Sequence, residues 1–239
     1  MNSFLSWLLP PGASTFVREI DPIYYMILVI TGVAFVLVEV ALVWFLVRYR
    51  GRPGRRAHYT HGNNRAEVIW TAVTALVVVM IGLTSRGAWA HIKGRDSAPP
   101  GSYPIRVHVK QFEWIFTYPG PDGQLGNADD FTVRNQLHIP VNTPILAHLE
   151  SEDVIHSFWI PAFRIKQDAV PGMHITAWFQ PTQVGTFEIG CAELCGLGHY
   201  RMRGMVTVHS REDFDRWSAA QRARAAGTPG QQSQGQQGQ

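Results

Sequence analysis

Only two cysteines occur in the 239 residues, and they stand close together, at Cys191 and Cys195. That scarcity leaves room for one disulfide at most. In an oxidising compartment such a pair ordinarily forms one, but the neighbouring residues argue otherwise, as set out below. Acidic side chains are missing from Arg48 to Ala66, which holds Arg48, Arg50, Arg52, Arg55, Arg56 and Arg65. A polar face is missing from two long apolar runs. Ile23 to Val47 is interrupted only by Glu39, and Val68 to Trp89 carries one charge, Arg86. Without a polar face, neither run reads as a helix at the surface of a soluble protein. The first twenty residues lack the basic start of a secretory signal, so "FLSWLLPPGAS" reads as a segment lying outside a membrane. No internal repeat is present. The net charge of +3 and pI near 9.0 owe much to the arginine-rich stretch, so they do not point to nucleic-acid binding.

What is present organises the chain. As helices the two apolar runs extend roughly 37 and 33 Å at 1.5 Å per residue, enough to cross a hydrocarbon core of about 30 Å. An excess of arginine in the short loop between them marks its cytoplasmic side. Both termini and the long C-terminal portion then lie on the outer side. The expected division is an outer N-terminal segment over 1–22 and a two-helix transmembrane hairpin over 23–90 with its cytoplasmic loop at 48–66. A polar linker follows over 91–102. From Tyr103 to Ser210 short runs rich in Val, Ile, Phe, Tyr and Trp alternate with Pro, Gly, Asn and Asp, which predicts antiparallel strands of a sandwich or barrel. Residues 211–226 have helical spacing with Phe214 and Trp217 on one side. The Gln/Gly-rich 227–239 predicts disorder.

Chemistry concentrates in Cys191–Met202, which reads C-A-E-L-C-G-L-G-H-Y-R-M. Thiolate and thioether sulfur joined with imidazole select copper over Mg, Ca or Mn. A mononuclear blue-copper site needs one Cys, whereas two thiolates in one loop can bridge two metal ions. The loop supplies Cys191, Cys195, His199 and Met202, so a second imidazole must come from elsewhere. His58 and His61 lie in the cytoplasmic loop and His91 sits beside the membrane. His108, His138, His148, His174 and His209 sit within strand-like alternation. His156, in "SEDVIHSFWIP" after an acidic turn, is the best candidate. A Cys191–Cys195 disulfide leaves His199 and Met202 unexplained, Met is a poor zinc ligand, and a nucleophilic Cys–His pair needs only one Cys. Met205, in "GMVTV", is an alternative to Met202 but lies where core packing is the default.

With these residues in view, the chain from about Ile23 to Trp217 resembles subunit II of the haem–copper cytochrome c oxidases. The pattern C-x-E-x-C-x3-H-x2-M is complete, "EDVIHSFWIP" matches the family's first-histidine segment, and "KQDAVPG" matches its K-x-D-A-x-P-G turn. The resemblance implies a membrane α-helical hairpin followed by an all-β cupredoxin-like Greek-key sandwich carrying the binuclear copper centre CuA. It implies bridging thiolates at Cys191 and Cys195, terminal ligands at His156 and His199, a weak axial ligand at Met202, and a backbone carbonyl ligand at Glu193. The Glu193 carboxylate would also help hold Mg²⁺ or Mn²⁺ at the boundary with subunit I. "AEVIWT" resembles the opening of the family's second helix, which makes Glu67 a candidate for proton uptake into subunit I. Where the family typically has Gln-Trp-x-Trp, this chain has Gln111-Phe112-Glu113-Trp114, so Phe112 and Trp114 become the candidates for receiving electrons. The insertion "PGPDGQLGNADDF" offers Asp122, Asn127, Asp129 and Asp130 as candidate oxygen ligands for Ca²⁺, against a plain solvated hairpin.

The implied function is electron transfer. The subunit would accept electrons from a periplasmic cytochrome c or cupredoxin and pass them to haem in subunit I of a bacterial inner-membrane oxidase. There O₂ would be reduced and protons pumped, with subunit III a further partner and the lipid bilayer the setting; no nucleic acid is involved. A CuA-containing nitric oxide reductase has a similar small subunit, and a membrane-anchored copper or electron carrier is the rival of another class. A soluble nitrous oxide reductase lacks the hairpin, and a quinol oxidase subunit would have lost these ligands.

Overall fold

Lipid-compatible helices and a β unit divide the computed structural model, which describes residues 8–94 and 97–226. The expected tail at 227–239 lies outside the described residues. The first compact unit runs from Arg18 to His91, and the second combines residues up to Val17 with those from Ile92 onward.

The first unit holds α1 (Val17–Tyr49) and α2 (Asn64–Lys93). Both are longer than the apolar runs that announce them. α1 starts ahead of Ile23 with the polar residues Arg18, Glu19 and Asp21, and Pro22 lies inside the helix beyond its first turn, where its missing N–H leaves the Arg18 carbonyl without its usual i+4 donor. α2 starts at a cap, with the Asn63 side chain accepting the N–H groups of Arg65 (3.1 Å) and Ala66 (3.2 Å). Hydroxyls within the apolar stretches are satisfied inside their own helix. Thr31 donates to the Ile27 carbonyl, Thr74 to Trp70, Thr84 to Met80 and Ser85 to Ile81, each at 2.8–2.9 Å. Those four hydroxyls need no water at depth, whereas Glu39, midway along α1, is the one carboxylate within the apolar stretch. Large apolar side chains such as Leu37, Val47, Leu76 and Leu83 are outward-facing, a surface that suits lipid or neighbouring membrane helices. The chain is membrane-anchored. Near the ends of the pair, His91 Nδ1 meets Glu19 Oε1 at 2.7 Å.

The second unit is a sandwich of two five-stranded sheets. Its strands are β1 (Tyr103–Lys110), β2 (Glu113–Tyr118), β3 (Phe131–Arg134), β4 (Gln136–Pro140) and β5 (Ile145–Ser151). They continue with β6 (His156–Ile160), β7 (Ile165–Ala169), β8 (Ile175–Phe179), β9 (Gly185–Cys191) and β10 (Arg203–His209). One sheet runs β3-β2-β1-β5-β8 and the other β4-β10-β9-β6-β7. The β1–β5 and β4–β10 pairs are parallel, and such pairs need crossovers rather than hairpins, giving the Greek-key character of a cupredoxin-like fold. Alternation drives the packing. Ile105, Val107 and Val109 of β1, Trp114 and Phe116 of β2, and Ala147 and Leu149 of β5 turn inward to meet Phe158, Ile160, Ile189, Val206 and Val208. The segment "KQDAVPG" is not only a turn: its first four residues finish β7, and the bend follows at Pro171–Gly172, where Gly172 has φ +75°.

Residues ahead of α1 belong to the sandwich. The Ala13 N–H donates to Ala162 O (2.8 Å), the Thr182 N–H to Ala13 O (2.9 Å), and the Ser14 hydroxyl to Phe163 O (2.6 Å). Phe16, wholly buried, meets Trp178 edge-on at 4.7 Å between centroids. Residues 13–16 are therefore part of the β core and not merely a lead into the membrane. At the other end α3 (Arg211–Ala226) is capped by Ser210, whose hydroxyl accepts the Asp213 N–H (3.1 Å) and donates to the Asp213 carboxylate (2.7 Å). It buries Phe214 and stacks Trp217 on His138 at 4.2 Å.

Candidate metal centre

Cys191 is the last residue of β9 and Met202 immediately precedes β10, so the candidate ligands lie on the connection between two paired strands. The Cys191 N–H donating to Met202 O (3.3 Å) closes the neck of this loop. A short 3₁₀ turn over His199–Arg201 directs His199 back toward the neck. His156 opens β6, which pairs with β9 through Phe158↔Cys191. The two histidines thus arrive from different segments beside the same pair of sulfurs.

The distances are short. Cys191 Sγ lies 3.8 Å from Cys195 Sγ, 3.9 Å from His156 Nδ1 and 3.2 Å from Glu193 O. Cys195 Sγ lies 3.6 Å from His199 Nδ1 and 3.7 Å from Met202 Sδ. The structure therefore brings together His156, Cys191, Glu193, Cys195, His199 and Met202. Ligand atoms of His156, Cys191 and Cys195 all fall within 4.8 Å of one another, the only such group of three His, Cys, Asp or Glu side chains among the described residues. The sulfurs are too far apart for a disulfide, which needs about 2.05 Å. With metal–thiolate bonds of about 2.3 Å, however, an ion can touch both. Burial pushes the Cys195 thiol up to about 12, and the neighbouring Cys191 sulfur adds to the shift. Two thiolates this close call for cationic charge between them, and that need is itself a mark of a metal site.

Outer residues fix the ligands' orientation. Asp153 Oδ1 lies 2.8 Å from His156 Nε2, which turns His156 Nδ1 toward the sulfurs. Asp153 also accepts the N–H groups of Gln111 (2.7 Å) and Val154 (2.6 Å). Burial works against its ionisation, but these bonds outweigh it and hold the carboxyl below its ordinary range. Gln111 Nε2 donates to Cys195 O at 2.5 Å. Neither Asp153 nor Gln111 was singled out from sequence. The signal available for Asp153 was its place three residues ahead of His156 in "EDVIH".

The remaining candidates are scattered. The Phe112 ring covers the Cys191–Met202 loop so closely that a Cβ on Gly198 would meet it at 2.5 Å. Trp114 is fully buried and packs edge-on against Phe158 at 5.6 Å, so it offers no surface to a donor. The inward alternation of β2 dictates that placement, and of the two aromatic candidates only Phe112 stands over the loop. Glu67 lies in the first turn of α2, in the other unit. Asp122, Asn127, Asp129 and Asp130 do not form a cation cage. Asp122 accepts from the Gln124 N–H (2.9 Å) and Asn127 Nδ2 (2.6 Å), and Asp130 from the Gly126 N–H (2.7 Å). Asp122 and one oxygen of Asp130 thus help shape their own turn, as Asp and Asn commonly do.

Fold and donor set define a class: a membrane-anchored cupredoxin-like domain with a paired-thiolate metal centre. Comparison with known proteins carries the assignment further. Residues 107–209 match the family described as cytochrome C oxidase subunit II, periplasmic domain, and residues 3–86 match cytochrome C oxidase subunit II, transmembrane domain. The chain is 33% identical to cytochrome c oxidase subunit 2 of Thermostichus vulcanus, covering 88% of this chain and 77% of that one. It is 30% identical to the alternative cytochrome c oxidase subunit 2 of Bradyrhizobium diazoefficiens, covering 92% and 86%. The crystallised periplasmic domain of subunit II of cytochrome oxidase from Bradyrhizobium japonicum is 30% identical, covering 53% of this chain and 98% of that one, with a TM-score of 0.47. The chain belongs to the cytochrome c oxidase subunit II family. It is a haem–copper oxidase subunit, part of an oxidoreductase complex, and the nitric oxide reductase and copper-carrier readings are not favoured. Membership implies a CuA copper centre, and the soft, buried donor set of the loop fits it.

Proposed function

We propose that this chain receives electrons from a periplasmic cytochrome c or cupredoxin, in a bacterial inner membrane, and delivers them to haem in subunit I. There O₂ is reduced and protons are pumped. The observation that carries the reading is the convergence of His156, Cys191, Glu193 O, Cys195, His199 and Met202 in one loop-and-strand cage. When bound, a pair of copper ions supplies a one-electron store shared over two metals. The chain's residues do the rest. The Cys191 and Cys195 thiolates, the His156 and His199 imidazoles, the Met202 thioether and the Glu193 carbonyl would hold that pair. Asp153 and Gln111 keep that frame from relaxing when the charge changes, which keeps reorganisation small. Burial of Cys195, Met202 and His156 excludes water from the Cys195 and Met202 sulfurs, while Cys191 is half-buried.

Other parts of the reading follow from the family. The Glu193 carboxylate would share a Mg²⁺ or Mn²⁺ with subunit I, Glu67 would lead protons toward subunit I from the cytoplasmic side, and Phe112 would mark the electron-receiving face. The divisions at 1–22, 23–90, 91–102, 103–210 and 211–226 would then correspond to outer N-terminal segment, membrane hairpin, linker, copper domain and closing helix. Ca²⁺ is not carried forward, because the carboxylates of Asp122, Asp129 and Asp130 do not converge on a common point. Purification through a tag on this chain in mild detergent tests the function. It should bring down a haem-bearing large subunit that consumes O₂ with reduced cytochrome c as donor. Cys195→Ser should stop reduction by the donor while dithionite still reduces the haem. Isolation of the chain alone, without haem, would contradict the reading.

A further inference from the structure

Positive charge gathers at one end of the membrane hairpin. The stretch joining α1 to α2 carries Arg48, Arg50, Arg52, Arg55, Arg56 and Arg65 together with His58 and His61, and the first acid after them is Glu67. Setting the six arginines aside leaves 15 of the 21 Lys and Arg against 18 Asp and Glu, so the chain's positive balance belongs to this loop. All six are exposed. Among the described residues none of them pairs with a carboxylate.

Two of the six are held together. Arg55 Nη1 donates to Arg48 O at 2.9 Å, where the last turn of α1 leaves carbonyls without partners. The Arg55 guanidinium then lies 5.6 Å from the centre of the Tyr49 ring, and the Arg48 guanidinium 5.5 Å from the same ring. Each contact is favourable alone. Two like charges gathered on one ring repel, however, and no side chain neutralises them. An anion from outside the chain removes that repulsion.

Neighbouring rings indicate the source of the anion. Trp44 lies 6.1 Å and Phe45 5.9 Å from Tyr49 between centroids, and Trp44 lies 5.0 Å from Phe45. All three rings are exposed. An aromatic cluster at the end of a spanning helix sits at the level of the lipid headgroups. Arg48 and Arg55, at the same helix end, reach the level of the lipid phosphates.

From this juxtaposition we infer that Arg48, Tyr49 and Arg55 form a binding site for an anionic phospholipid. The two guanidiniums take the phosphate, and Trp44 and Phe45 lie against the glycerol and upper acyl chain. Arg50, Arg52, Arg56 and Arg65 add a general attraction for an anionic surface. The site depends on the hairpin spanning a bilayer and not on copper or electron transfer.

The full-length protein, purified in mild detergent with its accompanying subunits, tests this. It is stripped of lipid and incubated in salt that screens diffuse attraction, in micelles carrying phosphatidylglycerol and phosphatidylcholine in equal amounts. Lipid retained after re-isolation is counted by mass spectrometry. The wild type should retain phosphatidylglycerol in preference. At about fivefold per arginine, Arg48→Gln/Arg55→Gln should weaken retention by about tenfold or more, with the copper spectrum unchanged. The four remaining arginines keep the orientation signal of the loop. Arg50→Gln/Arg52→Gln makes the same change of charge and should weaken retention at least about threefold less. Arg55→Lys, which keeps the charge but loses the planar fork, should give a smaller loss in the same direction as Arg55→Gln. Equal losses in the two double variants would reduce the site to diffuse attraction and overturn the inference. So would a wild type without preference, or unchanged retention in both Arg55 variants. Displacement of the lipid by excess inorganic phosphate would assign a free-phosphate site instead, and loss of the large subunit from Arg48→Gln/Arg55→Gln a subunit contact. Failure of the function proposed above would look different, as a wild-type protein without a copper spectrum whose lipid retention is unaffected.

Discussion

Adding one methyl group at Gly198 probes the packing between Phe112 and the metal loop. Its Cβ would lie 2.5 Å from Phe112 Cδ2 and 2.7 Å from Cγ, against an ordinary carbon contact of about 3.5–4.0 Å. The ring would have to retreat by roughly 1 Å. Gly198 has φ −91° and ψ 5°, a backbone conformation open to alanine, so the penalty comes from the contact. Overpacking costs about 1–3 kcal/mol, and because Phe112 is half-buried we take about 1–2. For a domain of this size that is roughly a 3–8 °C fall in Tm. Phe112→Ala alone also destabilises, but once the ring is gone Gly198→Ala should cost less than about 0.5 kcal/mol. The two changes are therefore non-additive, with a coupling of about 1–2 kcal/mol. Thermal melts of the four copper-loaded proteins, followed by the visible copper band and near-ultraviolet circular dichroism, measure it. A neutral Gly198→Ala, or additive effects across the cycle, would refute the placement of the ring.

Phe16→Ala should destabilise the sandwich by about 3–5 kcal/mol, although Phe16 precedes the first membrane helix. A soluble fragment beginning at Ser97 should melt below one that also carries residues 8–16 joined by a flexible linker, and equal melting would show the segment is dispensable. Asp153→Asn should lower copper affinity about 10–100-fold through loss of the His156 orientation, read by competition with a chelator; unchanged affinity would remove Asp153 from the site. Burial, then the neighbouring His209, lowers His138 to about 4 from an ordinary value near 6.5. The unfolded chain therefore takes up the proton first, and stability is lost as pH falls from about 6.5 to 4. Halved for the partial exposure of His138 and screening, the loss is about 1–2 kcal/mol. The Tm difference between pH 7 and pH 4.5 should shrink in His138→Gln, and an unaltered difference would contradict the assignment.

The sequence made the hairpin legible because lipid asks only for unbroken apolarity, which a run such as Ile23 to Val47 displays directly. Its ends were less legible, since the polar first turn at Arg18–Asp21 carries no hydropathy signal. β1 announced itself through the alternation of Ile105, Val107 and Val109. β6 did not, because His156, Ser157 and Phe158 are all buried and so break the half-polar pattern. Packing of Ala13, Ser14 and Phe16 against residues far along the chain left no local trace. At the site, the spacing of Cys191, Cys195, His199 and Met202 was readable because a single loop holds them. The parts played by Asp153 and Gln111 depend on how β1, β6 and that loop meet, and no spacing encodes this. Trp114 illustrates the converse. Its place in an aromatic run suggested an electron-receiving surface, whereas the pleat of β2 turns it into the core.

The central claim is a copper pair bridged by Cys191 and Cys195. Electron paramagnetic resonance of the copper-loaded protein after one-electron reduction tests it most directly. The account predicts a mixed-valence signal split by two equivalent copper nuclei, lost in Cys195→Ser and retained in a His174→Ala control. A single-copper hyperfine pattern from the intact protein would contradict it.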